Sequence, residues 1–302
     1  MYVFRYDRIT RQGRIMKRNL LKEIKERMPS FSKGQKLISA YILDNYDKAA
    51  YMTAAKLGSV VNVSESTVVR FAIELGFDGY PEFQHCLQEI VRAKLTSFQR
   101  IEVTNSMIGD GDVLTKVLGA DCEKIKYTLD SIDRDAFDAA IEKIVSARRI
   151  YVMGARASAY IAGFLAHSLG MIFDNVRQVE ATTGSEVFEQ IFNIGEGDVL
   201  IAISFPRYSK KIINAVDYAK HSGADVIAIT DSEASPIAPQ ANQILLARSD
   251  MASFVDSLVA PLSIVNAIVV AVSRLKQTEL TVRLRRLEEI WDEYDIYDKN
   301  QG

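Results

Sequence analysis

Between Leu20 and Leu95 apolar residues return every third or fourth position, with short polar or proline-containing breaks. That is the period of helices that bury one face. Ile24 and Met28 close one run before Pro29, which stops a helix. Ser32 is placed to cap the next, whose apolar positions are Leu37, Ile38, Tyr41 and Ile42. Thr53 is placed to cap a short helix that turns Ala54, Leu57 and Val60 or Val61 inward. Asn62 suits a tight turn because it tolerates left-handed backbone angles, and Val63 fills the corner. Ser64 then caps a second helix burying Val68, Phe71, Ala72 and Leu75, with Glu65, Ser66, Thr67, Arg70 and Glu74 outside. Gly76 ends it as a left-handed cap, Phe77, Tyr80 and Phe83 pack back on the bundle, and a closing helix runs from about Pro81 to Lys94.

Beyond a polar stretch at 104–112, helices are predicted over Val113–Ser131 and Arg134–Ser146, and then the pattern changes. Arg149–Met153, Val176–Glu180, Asp198–Ser204, Asp225–Thr230 and Gln243–Ala247 are short, rich in Val and Ile, and separated by helical stretches. Buried parallel strands flanked by helices produce such runs, so an α/β three-layer sandwich with a five-stranded parallel sheet is expected after the all-α bundle. The last helical segment, from Thr281 to Tyr297, spaces Leu284, Leu287, Ile290 and Trp291 for packing or a dimer contact. The expected division is a bundle over 18–95, a linker over 96–112, the α/β domain over 113–280 and a helical tail over 281–302.

Composition adds exclusions. At 48% apolar and 25% charged residues over 302, the chain can bury two cores. No apolar run reaches the ~18 residues of a membrane helix, since Leu258–Val272 is broken by Pro261, Ser263 and Asn266. Met1–Thr10 carries Arg5, Asp7 and Arg8 without an apolar signal core, so a cytoplasmic protein without membrane partners is expected. Cys86 and Cys122 form no CxxC pair, and His85, His167 and His221 form no HExxH pattern, so no disulfide, metal or cofactor is expected. Charge is unevenly spread: residues 1–100 hold 17 Lys+Arg against 10 Asp+Glu, a balance of +7, whereas the remainder stands at −9. A basic first third on an acidic body is the pattern of a nucleic-acid-binding module attached to something else.

Two helices joined by a short turn let the second lie in a major groove with its first residues at base edges. Thr53, Lys56, Ser64, Glu65, Ser66, Thr67 and Arg70 are the candidate DNA-contacting residues, the small hydroxyls permitting close approach and Arg70 reaching a phosphate or a guanine. Lys33, Lys36, Arg92 and Lys94 are further candidates for phosphate contact. A plain helical hairpin serving only to dimerise is the alternative.

In the α/β half, ligands are expected beyond the carboxyl ends of the strands. Gly154, Arg156 and Ser158 follow the first strand, and Ser204, Arg207, Tyr208 and Ser209 follow the third, each set leading into a helix whose first amides attract an anion. Thr183, with Thr182 and Ser185, is a candidate third wall. No acid–base pair stands out for catalysis. His167 sits among apolar helix residues, and Glu186 and Glu189 suit a solvated helix face.

The run Ser64 to Phe71, followed by Leu75-Gly76-Phe77, Gly79-Tyr80 and Phe83, resembles the DNA-binding domain of the RpiR family of bacterial regulators over about Lys22–Ala93. That resemblance implies a sugar isomerase (SIS) domain of flavodoxin-like strand order in the second half, and roughly Val113–Leu275 is similar to one, including Asp198–Ser204 and Ala224–Thr230. It implies a homodimeric or homotetrameric regulator of double-stranded operator DNA that binds a small anionic effector, such as a sugar phosphate. SIS domains also occur in isomerases, so an enzyme is the rival class. One departure matters: the family's second loop usually reads Ser-x-Ser-Gly-x-Ser/Thr, whereas Pro206 and Arg207 replace the second serine and the glycine here. Proline has no amide to donate, which leaves a carboxylate or polyol open beside a phosphosugar.

Overall fold

The computed structural model describes residues 20–94, 97–108, 111–180, 183–251 and 253–297. Thr182, the segment Met1–Thr10 and the side chains of Arg92 and Lys94 lie outside the described residues. The chain divides into two units, one comprising residues up to 113 together with 251–256, the other 114–250 and 257–302.

In the first unit, α1 (Leu20–Arg27), α2 (Lys33–Asp44), α3 (Tyr46–Ala49), α4 (Ala54–Val61), α5 (Glu65–Glu74), α6 (Tyr80–Lys94) and α7 (Ser97–Ile108) follow one another. Pro29 falls in a 3-10 turn at Met28–Ser30, and Ser32 caps α2 in a reciprocal box with Gln35. The core is aromatic at its centre: Phe71 meets Phe31 and Phe83 edge-on at 5.4 and 5.8 Å, and Phe77 meets Phe83 at 5.4 Å. Burial pushes the Tyr80 phenol up to about 12, and its hydroxyl donates to the Met52 carbonyl at 2.7 Å. Leu37 departs from expectation, standing 47% exposed on α2. Residues 97–108 are helical, although 104–112 reads as polar connection, because Arg100 anchors α7 from inside. Only 2% exposed, Arg100 donates to Asp256 at 3.0 Å. Met251, from the same short segment as Asp256, packs on the bundle core.

The second unit opens with α8 (Val113–Ser131) and α9 (Arg134–Ser146), and then alternates. Its strands are β1 (Arg149–Gly154), β2 (Val176–Glu180), β3 (Asp198–Ile203), β4 (Asp225–Thr230) and β5 (Gln243–Leu246). Its remaining helices are α10 (Ala157–Gly170), α11 (Gly184–Ile191), α12 (Lys210–His221), α13 (Val259–Leu275) and α14 (Gln277–Glu293). All strand pairings are parallel, in the order β2-β1-β3-β4-β5. Alternate residues feed two cores: Ile150, Val152, Val199 and Ile201 pack with α9, α10 and α13, whereas Tyr151, Met153, Leu200 and Ala202 pack with α11 and α12. The sheet is therefore covered on both sides, as its nearly continuous apolar strands require. Buried Asp198 pins the start of β3, accepting from Arg148 Nε at 2.9 Å and Nη2 at 2.8 Å and from the Gly195 amide at 3.0 Å. α14 begins at Gln277, bent 98° from α13, and has no buried residue. The Leu284–Trp291 spacing therefore packs into neither core. Among the described residues no single helix is long and apolar enough to cross a membrane.

Candidate functional site

The turn between α4 and α5 is built by local chemistry. Thr53 Oγ1 accepts from the Lys56 amide at 3.2 Å, which fixes the start of α4. Asn62 closes α4 in the left-handed region, at φ 57° and ψ 47°, and Val63 turns the chain back. Ser64 Oγ accepts from the Thr67 amide at 3.3 Å and lies 2.8 Å from Thr67 Oγ1 and 2.9 Å from Ser66 Oγ. Gly58 was not singled out from the sequence, yet a Cβ there would stand 2.8 Å from the Val63 carbonyl, closer than side chains approach backbone. A glycine inside a short amphipathic helix is the signal that could have found it.

On α5, Val68, Phe71 and Ala72 are buried, and Ser64, Glu65, Ser66 and Arg70 are exposed around its first turns. Thr67 is half-buried, and Arg70 Nε donates to the Ser66 carbonyl at 3.2 Å. Thr53 and Lys56 are exposed on α4, where Val60 is 43% exposed and Val61 packs on the core. Glu74 is exposed, as expected, and is bonded as well. Its carboxylate accepts from Gln35, and its carbonyl accepts from Arg27 Nη2 at 2.9 Å, so it ties α5 to α1 and α2.

In the second unit the two candidate loops leave adjacent strands: Gly154 at the end of β1 is in register with Ile203 at the end of β3. Strand order reverses between those two strands, the crevice where doubly wound sheets hold ligands. Gly154 is required there, because a Cβ would lie 2.3 Å from the Ser158 carbonyl. Arg156 follows at φ 57° and ψ −126° and is exposed, while Ser158 is buried in the first turn of α10.

After β3, Ser204 is buried, its amide donating to the Ile229 carbonyl at 3.1 Å. Arg207 is exposed and takes φ 63°, so a non-glycine residue holds the left-handed turn that glycine adopts freely. Ser209 sits at the cap of α12, and its side chain makes no capping bond. Tyr208 donates its hydroxyl to Asp231 at 2.9 Å, a partner beyond β4 that the sequence did not suggest. Thr183 caps α11 in a reciprocal box with Glu186, which commits its hydroxyl to that helix start.

The helix-turn-helix model of the rpiR family matches residues 18–94, and the SIS domain model matches residues 143–271. The chain belongs to the RpiR family. It is accordingly a transcriptional regulator with a DNA-binding helix-turn-helix and a SIS domain. Among relatives of this RpiR-family chain is the HTH-type transcriptional regulator HexR of Pseudomonas aeruginosa, 24% identical over 90% of this chain and 95% of that protein. The sugar isomerase domain of an RpiR transcription factor from Sphaerobacter thermophilus is 28% identical. It covers 58% of this chain and 97% of its own, with a TM-score of 0.55. The Vibrio vulnificus NanR protein, solved in complex with ManNAc-6P, is 22% identical over 91% of this chain and 99% of its own. Its TM-score of 0.57 speaks for a shared fold.

Proposed function

We propose that this RpiR-family regulator is a cytoplasmic homodimer or homotetramer that binds two-fold operator DNA. A small anionic metabolite, a sugar phosphate or related carbohydrate derivative, modulates that binding. Thr53, Lys56, Ser64, Glu65, Ser66, Thr67 and Arg70 meet the duplex; Gly154, Arg156, Ser158, Thr183, Ser204, Arg207, Tyr208 and Ser209 surround the effector. The observation that carries the effector half is the register of Gly154 with Ile203, which sets the Arg156 and Arg207 loops at neighbouring strand ends, each opening a helix of a dozen residues or more. Amides at helix starts and arginine guanidinium groups both favour negative charge. Pro206 offers this loop no amide, whereas Arg207, at φ 63°, brings a guanidinium that can take over the anion. NanR, of the same fold, was solved with a phosphorylated sugar derivative, which agrees with this reading.

Ligand can alter operator binding only by favouring one of two arrangements of the chain. A covalent route exists for that influence, since the chain leaves the second unit at Asp250, gives Met251–Asp256 to the first, and returns at Ser257. Binding without turnover is expected.

The test is operator binding by the full chain across salt concentrations, with and without a panel of sugar phosphates and sugar acids. Affinity should fall steeply with salt, as phosphate contacts require. Arg70→Ala should weaken binding by about 1–3 kcal/mol, roughly ten- to a hundredfold. Absence of duplex binding at low salt overturns the DNA reading, and turnover of a sugar phosphate favours the isomerase.

A further inference from the structure

Helix α8 is dressed the wrong way round for a helix that serves only its own domain. The residues it buries are polar, Lys124 and Thr128. Lys124 Nζ pairs with Asp121 at 3.0 Å, Asp121 accepts from Ser257 Oγ at 2.7 Å, and Thr128 Oγ1 accepts from the Arg248 amide at 3.0 Å. A polar network thus holds α8 to the second unit, while its large apolar side chains face outward. Leu114 is 67% exposed, Leu118 54%, Ile125 37% and Leu129 59%, and Cys122 between them is exposed as well.

These five positions follow one another at intervals of four, four, three and four residues, so they form one stripe along the helix. The stripe is also close to palindromic. Leu114 and Leu129 are equally far from the midpoint between residues 121 and 122, and so are Leu118 and Ile125. Two-fold contact between identical helices running antiparallel needs this symmetry, because each residue must meet its counterpart reflected through the axis. A membrane or an unrelated partner imposes no such spacing. Exposed apolar patches of this extent mark interaction sites on soluble proteins.

We infer that α8 is a self-association surface, pairing antiparallel with α8 of a second copy of this chain about an axis beside Cys122. The inference goes beyond the proposed homo-oligomer by naming its surface, and its biological sense, though not its geometry, rests on that reading. Helices pack about 8–10 Å apart with Cα atoms about 2.3 Å from each axis. Facing Cα atoms at the dyad therefore stand about 3.4–5.4 Å apart, inside the ~7 Å limit of a disulfide. Cys122 thus serves as a probe, and Cys86, the only other cysteine, is buried.

The experiment combines oxidative cross-linking with sedimentation of the full chain at micromolar concentration. Mild oxidation should trap a covalent dimer that reduction reverses and that Cys122→Ser abolishes. The pair Leu118→Glu with Ile125→Glu should shift the sedimenting species to half its mass or less and prevent the cross-link, with the circular dichroism spectrum unchanged. A monomeric wild-type chain overturns the inference. So does a dimer that fails to cross-link through Cys122, or one that survives both charged substitutions. Should the charged pair fail to fold, the wild-type cross-link and its Cys122→Ser control decide alone. Operator binding measured on the same samples keeps the two readings apart. A dimer that cross-links through Cys122 yet ignores duplex DNA sinks the proposed function and supports this interface.

Discussion

Replacing Arg207 by glycine and, separately, by alanine divides the work of its backbone from that of its side chain. At φ 63° the backbone is in the left-handed region, where a residue with a Cβ is disfavoured by about 1–2 kcal/mol. Glycine removes that strain but adds freedom to the unfolded chain, a cost of about 0.5–1 kcal/mol. Arg207→Gly should therefore leave the ligand-free protein unchanged or raise its stability by up to about 1.5 kcal/mol, the difference between those ranges. Arg207→Ala keeps the strain and removes an exposed side chain, so it should stay within about 0.5 kcal/mol of wild type.

Both variants lose the guanidinium. A hydrogen bond to a charged group contributes about 1.5–3 kcal/mol, so effector affinity should fall about ten- to a hundredfold in each. The assay is thermal unfolding with and without an effector drawn from the sugar phosphate and sugar acid panel. At a concentration of 100 Kd the wild-type chain gains about 2.7 kcal/mol, and a thirtyfold loss of affinity reduces that gain to about 0.9 kcal/mol. The reasoning fails if Arg207→Gly keeps the wild-type ligand shift. The loop would then hold its anion by backbone amides alone, and the arginine would be a passenger in a glycine's turn.

Gly58→Ala sets a methyl group 2.8 Å from the Val63 carbonyl, so α4 and the turn must separate; about 1–3 kcal/mol of stability should be lost, read by denaturant unfolding, together with operator affinity. The Arg148–Asp198 pair should respond unequally. Arg148→Ala leaves a fully buried carboxylate that still accepts from the Gly195 amide but has lost its cation, and should cost about 3–5 kcal/mol. Asp198→Asn leaves a guanidinium whose side chain is 55% exposed and can be hydrated, so it should cost less, and equal losses by urea titration would count against this asymmetry.

Much of the fold was legible because its signals are local. The five strands fall within a residue of their expected bounds, since each is a short run bearing Val or Ile between helical stretches. The helix-turn-helix was legible down to individual bonds, because Thr53 and Ser64 each accept from an amide three positions on, and Asn62 donates its own amide to carbonyls three and four positions back. Errors gathered where a distant partner decides. Helical spacing alone could not say whether Val60 or Val61 turns inward, or that Leu37 stays exposed. It placed Glu74 outward, where the residue stands, but did not show its bonds to Gln35 and Arg27, 39 and 47 residues away.

The same limit explains why the candidate effector loops are harder to read than the helix-turn-helix. Arg207 was visible as a departure from a serine- and glycine-bearing loop, and residue type argued that the loop had lost an amide donor at Pro206 and gained a charge at Arg207. The backbone adds that Arg207 stands at φ 63°, a region that glycine adopts freely. That conformation could not be read from composition, because it depends on whether the surrounding turn tolerates the strain. Here β3 leads into the turn fully buried, and Tyr208 is tied to Asp231 across the neighbouring strand end. A turn held from both sides can impose φ 63° on any residue it contains. Arg207 therefore adds a charged side chain to a loop whose shape its neighbours hold.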